Sequence, residues 1–101
     1  MKEEVLERLG LSVNEAKVYL ALLETGLSNA STIVKKTGLH RPNVYYSINR
    51  LTEKGLIASC IRQNVNYYQA ADPKRLKQLI REKQEELKVT SNLVEIGRAH
   101  V

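Results

Sequence analysis

Apolar residues recur at helical intervals over most of the first 55 residues, in segments separated by single glycines. The spacing predicts a short helix over residues 2–9 and a longer helix over residues 13–24. Ser12 and Glu15 stand three residues apart at the start of the longer helix, which is typical of a capping box. The side chains expected to face the core from these two helices are Val5, Leu6, Leu9, Val13, Ala16, Tyr19, Leu20 and Leu23.

Two further helical segments follow, and only a few residues separate them. Ser28 is expected to cap the first segment, and Gly38 is expected to end it. Pro42 fits the first turn of the second segment, where its missing N–H costs nothing. Two helices joined by a tight turn that contains glycine are typical of a helix-turn-helix. The residues expected to face the core are Ala30, Ile33, Val34, Val44, Ile48 and Leu51.

The pattern changes after residue 55, where helical spacing gives way to short segments rich in Ile, Val and Tyr. Residues 56–62 and 65–70 are separated only by Gln63 and Asn64, which predicts two antiparallel strands with a tight turn. An isolated hairpin is marginal in water, so this one must pack against the helices. The sequence therefore predicts a mainly α-helical domain with a small β-hairpin, a winged helix-turn-helix, over residues 1–71.

A last helix is predicted over residues 72–95, because Asp72 and Pro73 suit a helix start. Six of its positions alternate by four and three, which is typical of a coiled coil and favours a homodimer. Two of the six are polar, so the seam is weak. These positions are Leu76, Ile80, Lys83, Leu87, Thr90 and Val94.

The final seven residues read Glu-Ile-Gly-Arg-Ala-His-Val. This string matches the translation of a common sequencing adapter. We therefore expect residues 96–101 to be a non-native tail, and such segments do not enter the prediction of the fold.

The net charge of +5 is unevenly distributed along the chain. Residues 35–83 carry eleven basic and three acidic side chains, a net charge of +8, whereas residues 1–34 have a net charge of −2. A basic middle is typical of a surface that meets a polyanion. No apolar run approaches the roughly 18–20 residues of a membrane span. We therefore expect a cytoplasmic protein with no membrane contact and a polyanionic partner.

Catalysis finds little support in the sequence. Cys60 lies in an apolar, strand-like stretch with no nearby His and is expected to be a buried, inert thiol. A single cysteine excludes a multi-cysteine zinc site, and His40 has no partner at metal-ligand spacing. The sequence predicts neither an enzyme nor a bound metal or cofactor.

The second helix of the helix-turn-helix carries the side chains suited to reading DNA. The N-terminal part of this helix enters the major groove in the usual docking geometry. Arg pairs with guanine and Asn with adenine, so Arg41 and Asn43 are predicted to contact bases, together with Ser47 on the same face. Contacts with the DNA backbone are expected from Ser28, Ser31, Lys35, Lys36, His40, Tyr46, Arg50, Arg62, Gln63 and Asn64.

Two other interpretations of these residues stay open. Any exposed helix has a solvated polar face, and that face alone does not require a ligand. The basic surface also suits an acidic protein partner, which would make the domain a protein–protein interaction module without DNA binding.

Three motifs in order resemble a known family. They are the opening Leu-Gly-Leu-x-x-x-Glu-Ala, the pair Val44-Tyr45, and the run from Glu53 to Ile57. Over about residues 5–80 the chain resembles the winged-helix DNA-binding domain of TrmB-like, mainly archaeal, transcriptional regulators. The resemblance implies a sequence-specific domain that binds double-stranded DNA. Larger members carry a C-terminal effector-binding domain, in several cases for sugars, so a small-molecule effector is expected only through a domain absent from these 101 residues.

Overall fold

The computed structural model describes residues 3–72 and 74–85, and within them the chain forms helices and a small antiparallel sheet. The helices and the hairpin follow the predicted order, and one additional short strand lies after the second helix. Residues 74–85 are helical and are labelled α5. The predicted winged helix-turn-helix is confirmed. The remaining elements are α1 (Glu3–Arg8), α2 (Val13–Thr25), β1 (Ser28–Asn29), α3 (Ala30–Thr37), α4 (Arg41–Glu53), β2 (Ile57–Arg62) and β3 (Val65–Ala70).

The start of α2 shows only half of the predicted capping box. Ser12 is the N-cap, and its Oγ accepts a hydrogen bond of 3.1 Å from the backbone N–H of Glu15. The Glu15 carboxylate does not return the bond; it forms an ion pair with Lys54, which follows α4. Glu15 is only 5% exposed. A buried carboxylate needs a counter-charge, so this pair joins the start of α2 to the end of α4.

The core lies between α2 and α4 and is closed by α1, α3 and the sheet. The predicted inward face of α4 is confirmed, because Val44, Ile48 and Leu51 are all buried. The predicted inward faces of α1 and α2 are partly wrong. Val5, Val13 and Leu23 are 47%, 50% and 43% exposed. Eight of the thirteen residues of α2 are apolar, so the pattern did not single out one face.

The turn between α3 and α4 is short because Gly38 adopts the left-handed conformation, with φ of 72°. Its N–H bonds the carbonyl of Val34 at 2.9 Å, which ends α3. The N-cap of α3 is Asn29, not Ser28 as predicted, and its Oδ1 accepts from the N–H of Thr32 at 2.9 Å. Ser28 is buried in β1 and donates to the carbonyl of Gly26 at 3.0 Å.

The sheet has the order β1-β3-β2, and both pairings are antiparallel. The hairpin register sets Arg62 opposite Val65, so Gln63 and Asn64 form a two-residue turn. Both turn residues have positive φ angles, 52° and 64°, as a type I′ turn requires. The short strand β1 pairs with β3 and was not predicted.

Cys60 is exposed, so the prediction of a buried thiol is wrong. It pairs with Tyr67 across the sheet, whereas the next residue of β3, Tyr68, is 7% exposed and packs into the core. Successive side chains of a strand point to opposite faces. Cys60 therefore lies on the outer face of the wing.

The helix α5 begins in contact with the winged helix. Asp72 accepts a hydrogen bond of 2.9 Å from the N–H of Lys74, in agreement with the predicted cap, and Leu76 is buried in the core. Arg75 Nε donates to the carbonyl of Lys54 at 3.0 Å. Gly55 has a φ of +74°, and a Cβ there would lie 2.9 Å from this Nε.

Two predictions on the C-terminal part fall outside the described residues. They concern the seam positions Leu87, Thr90 and Val94, and the tail 96–101. Within residues 3–72 and 74–85, no helix combines the length and the apolar character needed to cross a bilayer.

The ion pair between Glu15 and Lys54 predicts a large asymmetry between two lysine substitutions. Lys54→Ala leaves the buried Glu15 carboxylate without its counter-charge, and we expect the free energy of unfolding to fall by about 3 kcal/mol. Lys36→Ala removes an exposed pair with Glu24 and serves as the control, with no measurable change expected. Urea unfolding of both variants measures the difference. Equal effects would contradict this account of the core.

Candidate nucleic-acid interface

The outward face of α4 follows from the face that it buries. Val44, Ser47, Ile48 and Leu51 are buried along one side of this helix. At 100° per residue, the opposite side carries Pro42, Tyr46, Asn49 and Glu53, and all four are exposed. Tyr46 is 67% exposed, which makes it the most prominent aromatic side chain of α4.

Ser47 does not belong to this outward face, and its predicted contact with bases is wrong. Its side chain is 1% exposed. It lies three residues after Val44 and four before Leu51, which is the spacing of the core stripe itself. A serine is small enough to fit into the core, and its polar character in the sequence does not reveal that it is buried.

The other predicted residues of α4 lie at its two flanks. Asn43 and Arg50 are exposed on one flank. Arg50 donates to the Glu53 carboxylate at 3.3 Å, an exposed pair within one helical turn. Arg41 and Tyr45 lie on the other flank, which faces the wing.

The predicted site residues of α3 also lie on different sides of their helix. Ser31 and Lys35 are exposed, and Ser31 Oγ accepts a hydrogen bond of 3.1 Å from Arg41. Lys36 is directed to α2 instead, where its Nζ lies 2.8 Å from the carboxylate of Glu24. The hydrogen bond and the charge of Lys36 lower the pKa of Glu24. Lys36 therefore lies apart from the side of α3 that borders α4.

Ser28 is also removed from the predicted interface. It is 5% exposed, and its hydroxyl lies 2.8 Å from that of Thr25. Its side chain faces the core because its partner in the sheet, Tyr68, does so as well. The prediction that Ser28 contacts the DNA backbone is therefore wrong.

A polar groove of about 270 Å³ lies between the start of α3, the start of α4 and the tip of the wing, and we call it the wing groove. Burial, and secondly the neighbouring Tyr45, raise the pKa of Tyr68, so this phenol remains neutral at physiological pH. Among the described residues that line the groove, Arg41 carries the formal charge and none has a carboxylate. The lining residues are Asn29, Ala30, Ser31, Arg41, Tyr45, Asn64, Val65, Asn66 and Tyr68.

The fold thus brings the wing beside the start of α4. Arg62, Gln63 and Asn64 are exposed at the tip of the wing, and Asn64 lines the same groove as Arg41. His40, the N-cap of α4, directly precedes Arg41 in sequence, is exposed and makes no side-chain capping bond.

Two asparagines of this surface were not among the predicted site residues. Asn29 lines the wing groove, and Asn49 lies on the outward face of α4. Helical spacing could have found Asn49, because it follows Tyr46 by three residues. The position of Asn29 depends on β1, and two residues carry too little pattern to predict a strand.

Residues 6–74 match the model of a family described as sugar-specific transcriptional regulator TrmB. The chain belongs to the TrmB family. The resemblance seen in the sequence is thereby confirmed, and so is the prediction of a regulator rather than an enzyme. The winged helix of this TrmB-family chain is a domain of the DNA-binding kind found in transcriptional regulators.

Relatives of known name or structure agree with this assignment. The HTH-type sugar sensing transcriptional regulator TrmBL1 of Pyrococcus furiosus is 29% identical over 85 residues, 81% of this chain and 25% of the relative. The chain thus spans about a quarter of the length of that curated relative.

Two solved structures share the fold. TrmBL2, described as an archaeal chromatin protein with a novel mode of DNA binding, superposes with a TM-score of 0.81 at 22% identity, over 97% of this chain and 38% of its own. A possible transcriptional regulator from Methanosarcina mazei superposes with a TM-score of 0.71 at 17% identity, over 92% of this chain and 86% of its own. At these identities the two structures establish the winged-helix fold alone.

The type I′ turn of the wing predicts a stabilising substitution. Gln63 has a φ of 52°, and the left-handed region is unfavourable for Gln but well tolerated by Asn. We expect Gln63→Asn to raise the free energy of unfolding by about 0.5–1 kcal/mol. Gln69→Asn, the same change at an exposed position of β3, is the control and should give no stabilisation. Thermal unfolding of both variants distinguishes turn strain from a general effect of shortening the side chain.

Proposed function

We propose that this domain binds double-stranded DNA sequence-specifically, with α4 in the major groove and the wing on the DNA backbone. The observation that supports this most is the shape of α4: one side is buried in the core, and the opposite side presents Tyr46 and Asn49 to solvent. The tip of the wing carries one exposed cation, Arg62. An α-helix with a free outer side fits the roughly 12 Å width of the major groove. The sugar-specific regulators of the TrmB family provide the functional context.

Base contacts are assigned to side chains of α4 that point away from the core. Asn43 and Asn49 carry amides that pair with adenine N6 and N7. Tyr46 lies between them in sequence on the same exposed surface and presents an apolar ring edge with a hydroxyl. This assignment keeps Asn43 from the sequence prediction, drops Ser47, and moves Tyr46 from the backbone to the bases.

Backbone contacts are assigned to the exposed cations and amides around α4. Lys35 on α3, Arg50 on the flank of α4 and Arg62 on the wing are exposed cations, and Gln63 and His40 are exposed polar groups beside them. Such contacts position a protein on the duplex and carry no base information. They release counterions, so their contribution to binding falls as salt rises.

The whole regulator is proposed to act as a homodimer that uses two half-sites. One recognition helix reads only a few base pairs, and a second copy about 34–36 Å away along one face of the duplex adds specificity. α5 is the element proposed to join the copies. Sugar sensing, as the names of the family and of TrmBL1 state, is proposed for a domain outside these 101 residues.

The assignment predicts different losses for two kinds of substitution. Asn43→Ala should lose the preference for one base pair in duplexes selected from a random library. Lys35→Ala should weaken binding to selected and random duplexes alike and flatten the dependence of log K on log salt by about 1. Mobility shifts at several salt concentrations measure both effects.

Matched controls come from two residues that this proposal leaves outside the interface. Lys36→Ala should leave the salt dependence unchanged because this lysine pairs with Glu24 on α2. Ser47→Ala should leave the base preference unchanged because the side chain is buried. If the parent chain binds no duplex at low salt but retains an acidic protein partner, the domain is an interaction module and the proposed function is wrong.

A further inference from the structure

We propose that the wing groove is a binding site for one phosphate of the DNA backbone, in which Arg41 holds the phosphate and Ser31 positions the guanidinium. This inference rests on the proposed function and assigns a different role to Arg41 from the base contact that the sequence predicted. A phosphate bound in this groove would lie between the α4 contacts and the wing contacts on one DNA strand, and it would fix the distance between them.

The first argument is the direction of Arg41. Its side chain lies on the wing-side flank of α4 and lines the groove, whereas the outward face carries Tyr46 and Asn49. One terminal nitrogen of Arg41 donates to Ser31 Oγ at 3.1 Å, on the neighbouring helix α3. Bidentate pairing with guanine uses two nitrogens of the guanidinium at once. The bond to Ser31 directs the group into the groove instead and leaves its other N–H donors available.

The second argument is the chemistry of the groove wall. Asn29, Asn64 and Asn66 line the groove together with Arg41, and the Asn66 side chain hydrogen-bonds Tyr68. The Oδ1 of Asn29 already accepts from the N–H and the hydroxyl of Thr32, at 2.9 and 3.0 Å, so its amide nitrogen is left as a donor. No carboxylate occurs among the described residues of the wall. A groove that holds one cation, amide N–H donors and no carboxylate favours an anionic ligand with several acceptor oxygens.

The third argument is size and location. At about 270 Å³ the groove is smaller than the roughly 300–1,000 Å³ of sites for drug-sized ligands, and it is open to solvent. It lies between α4 and the wing tip, the two elements proposed to contact the duplex on adjacent surfaces. A phosphodiester of a strand that passes between them would enter the groove.

The test compares a selected duplex with a random duplex for the parent chain and for Arg41→Ala. We expect binding of both duplexes to weaken about tenfold, which corresponds to the loss of one charge-assisted hydrogen bond. The salt slope should flatten by about 1, and the base preference should not change. Lys36→Ala removes one positive charge elsewhere and should change none of these quantities.

A scan of single methylphosphonate linkages locates the phosphate. Each substitution removes the charge of one phosphate in the selected duplex. At one linkage in each half-site, the parent should lose about tenfold in affinity while Arg41→Ala loses nothing further. A variant that loses affinity equally with the parent at every linkage would overturn the proposal.

A test of Ser31 must separate its proposed role in positioning Arg41 from a general role in the stability of the fold. Ser31→Ala should weaken binding by the parent a few-fold, leave the salt slope unchanged, and have no effect in the Arg41→Ala background. Equal losses in both backgrounds would assign Ser31 a role independent of Arg41.

Three further outcomes would each overturn the proposal and remain distinguishable. A changed base preference in Arg41→Ala without a change of salt slope would make Arg41 a base-reading residue. Competition by inorganic phosphate without any sensitive linkage in the scan would show a site for free anions. Absence of duplex binding by the parent would remove the proposed function together with this site.

Discussion

The burial of one side of α4 against α2 determines what the rest of the surface can do. A fully buried Val, Leu or Ile side chain contributes roughly 1.5–3 kcal/mol, and Val44, Ile48 and Leu51 are all buried. Rotating the helix by one residue would expose part of this stripe and bury a polar side chain in its place. The packing therefore selects which residues point away from the domain, and Ser47 is held inside by the same constraint.

The two ends of α4 are fixed by contacts of different kinds. At the start, the left-handed Gly38 shortens the turn, and Arg41 reaches back to Ser31 on α3. At the end, Lys54 pairs with the buried Glu15 of α2. The helix is thus held in position as well as in rotation, which lets a side chain at its surface meet a ligand without reorganising the backbone.

Much of the fold could be predicted from the sequence, because the segments with the clearest sequence patterns are also the ones that form the core and the hairpin. The stripe from Val44 to Leu51 has helical spacing, and the segments around Gln63 and Asn64 have strand composition with a two-residue turn. The predictions failed where the pattern was degenerate. Ser28 and Asn29 both suit an N-cap, and the pairing of β1 with β3 decided between them. The outward exposure of Cys60 depends on which strand face meets the core, and an apolar composition does not reveal it.

The contact between Arg75 and the end of α4 couples the orientation of α5 to that of α4. Arg75 donates a hydrogen bond to the carbonyl of Lys54 beside Gly55, and Leu76 lies in the core, so the direction in which α5 leaves the domain is set by the end of α4. Residues 74–85 extend about 18 Å at 1.5 Å per residue. Tilting such an arm by about 10° displaces its far end by about 3 Å. In the proposed homodimer, small changes in the angle between the two copies would therefore alter the distance between the surfaces proposed to contact DNA.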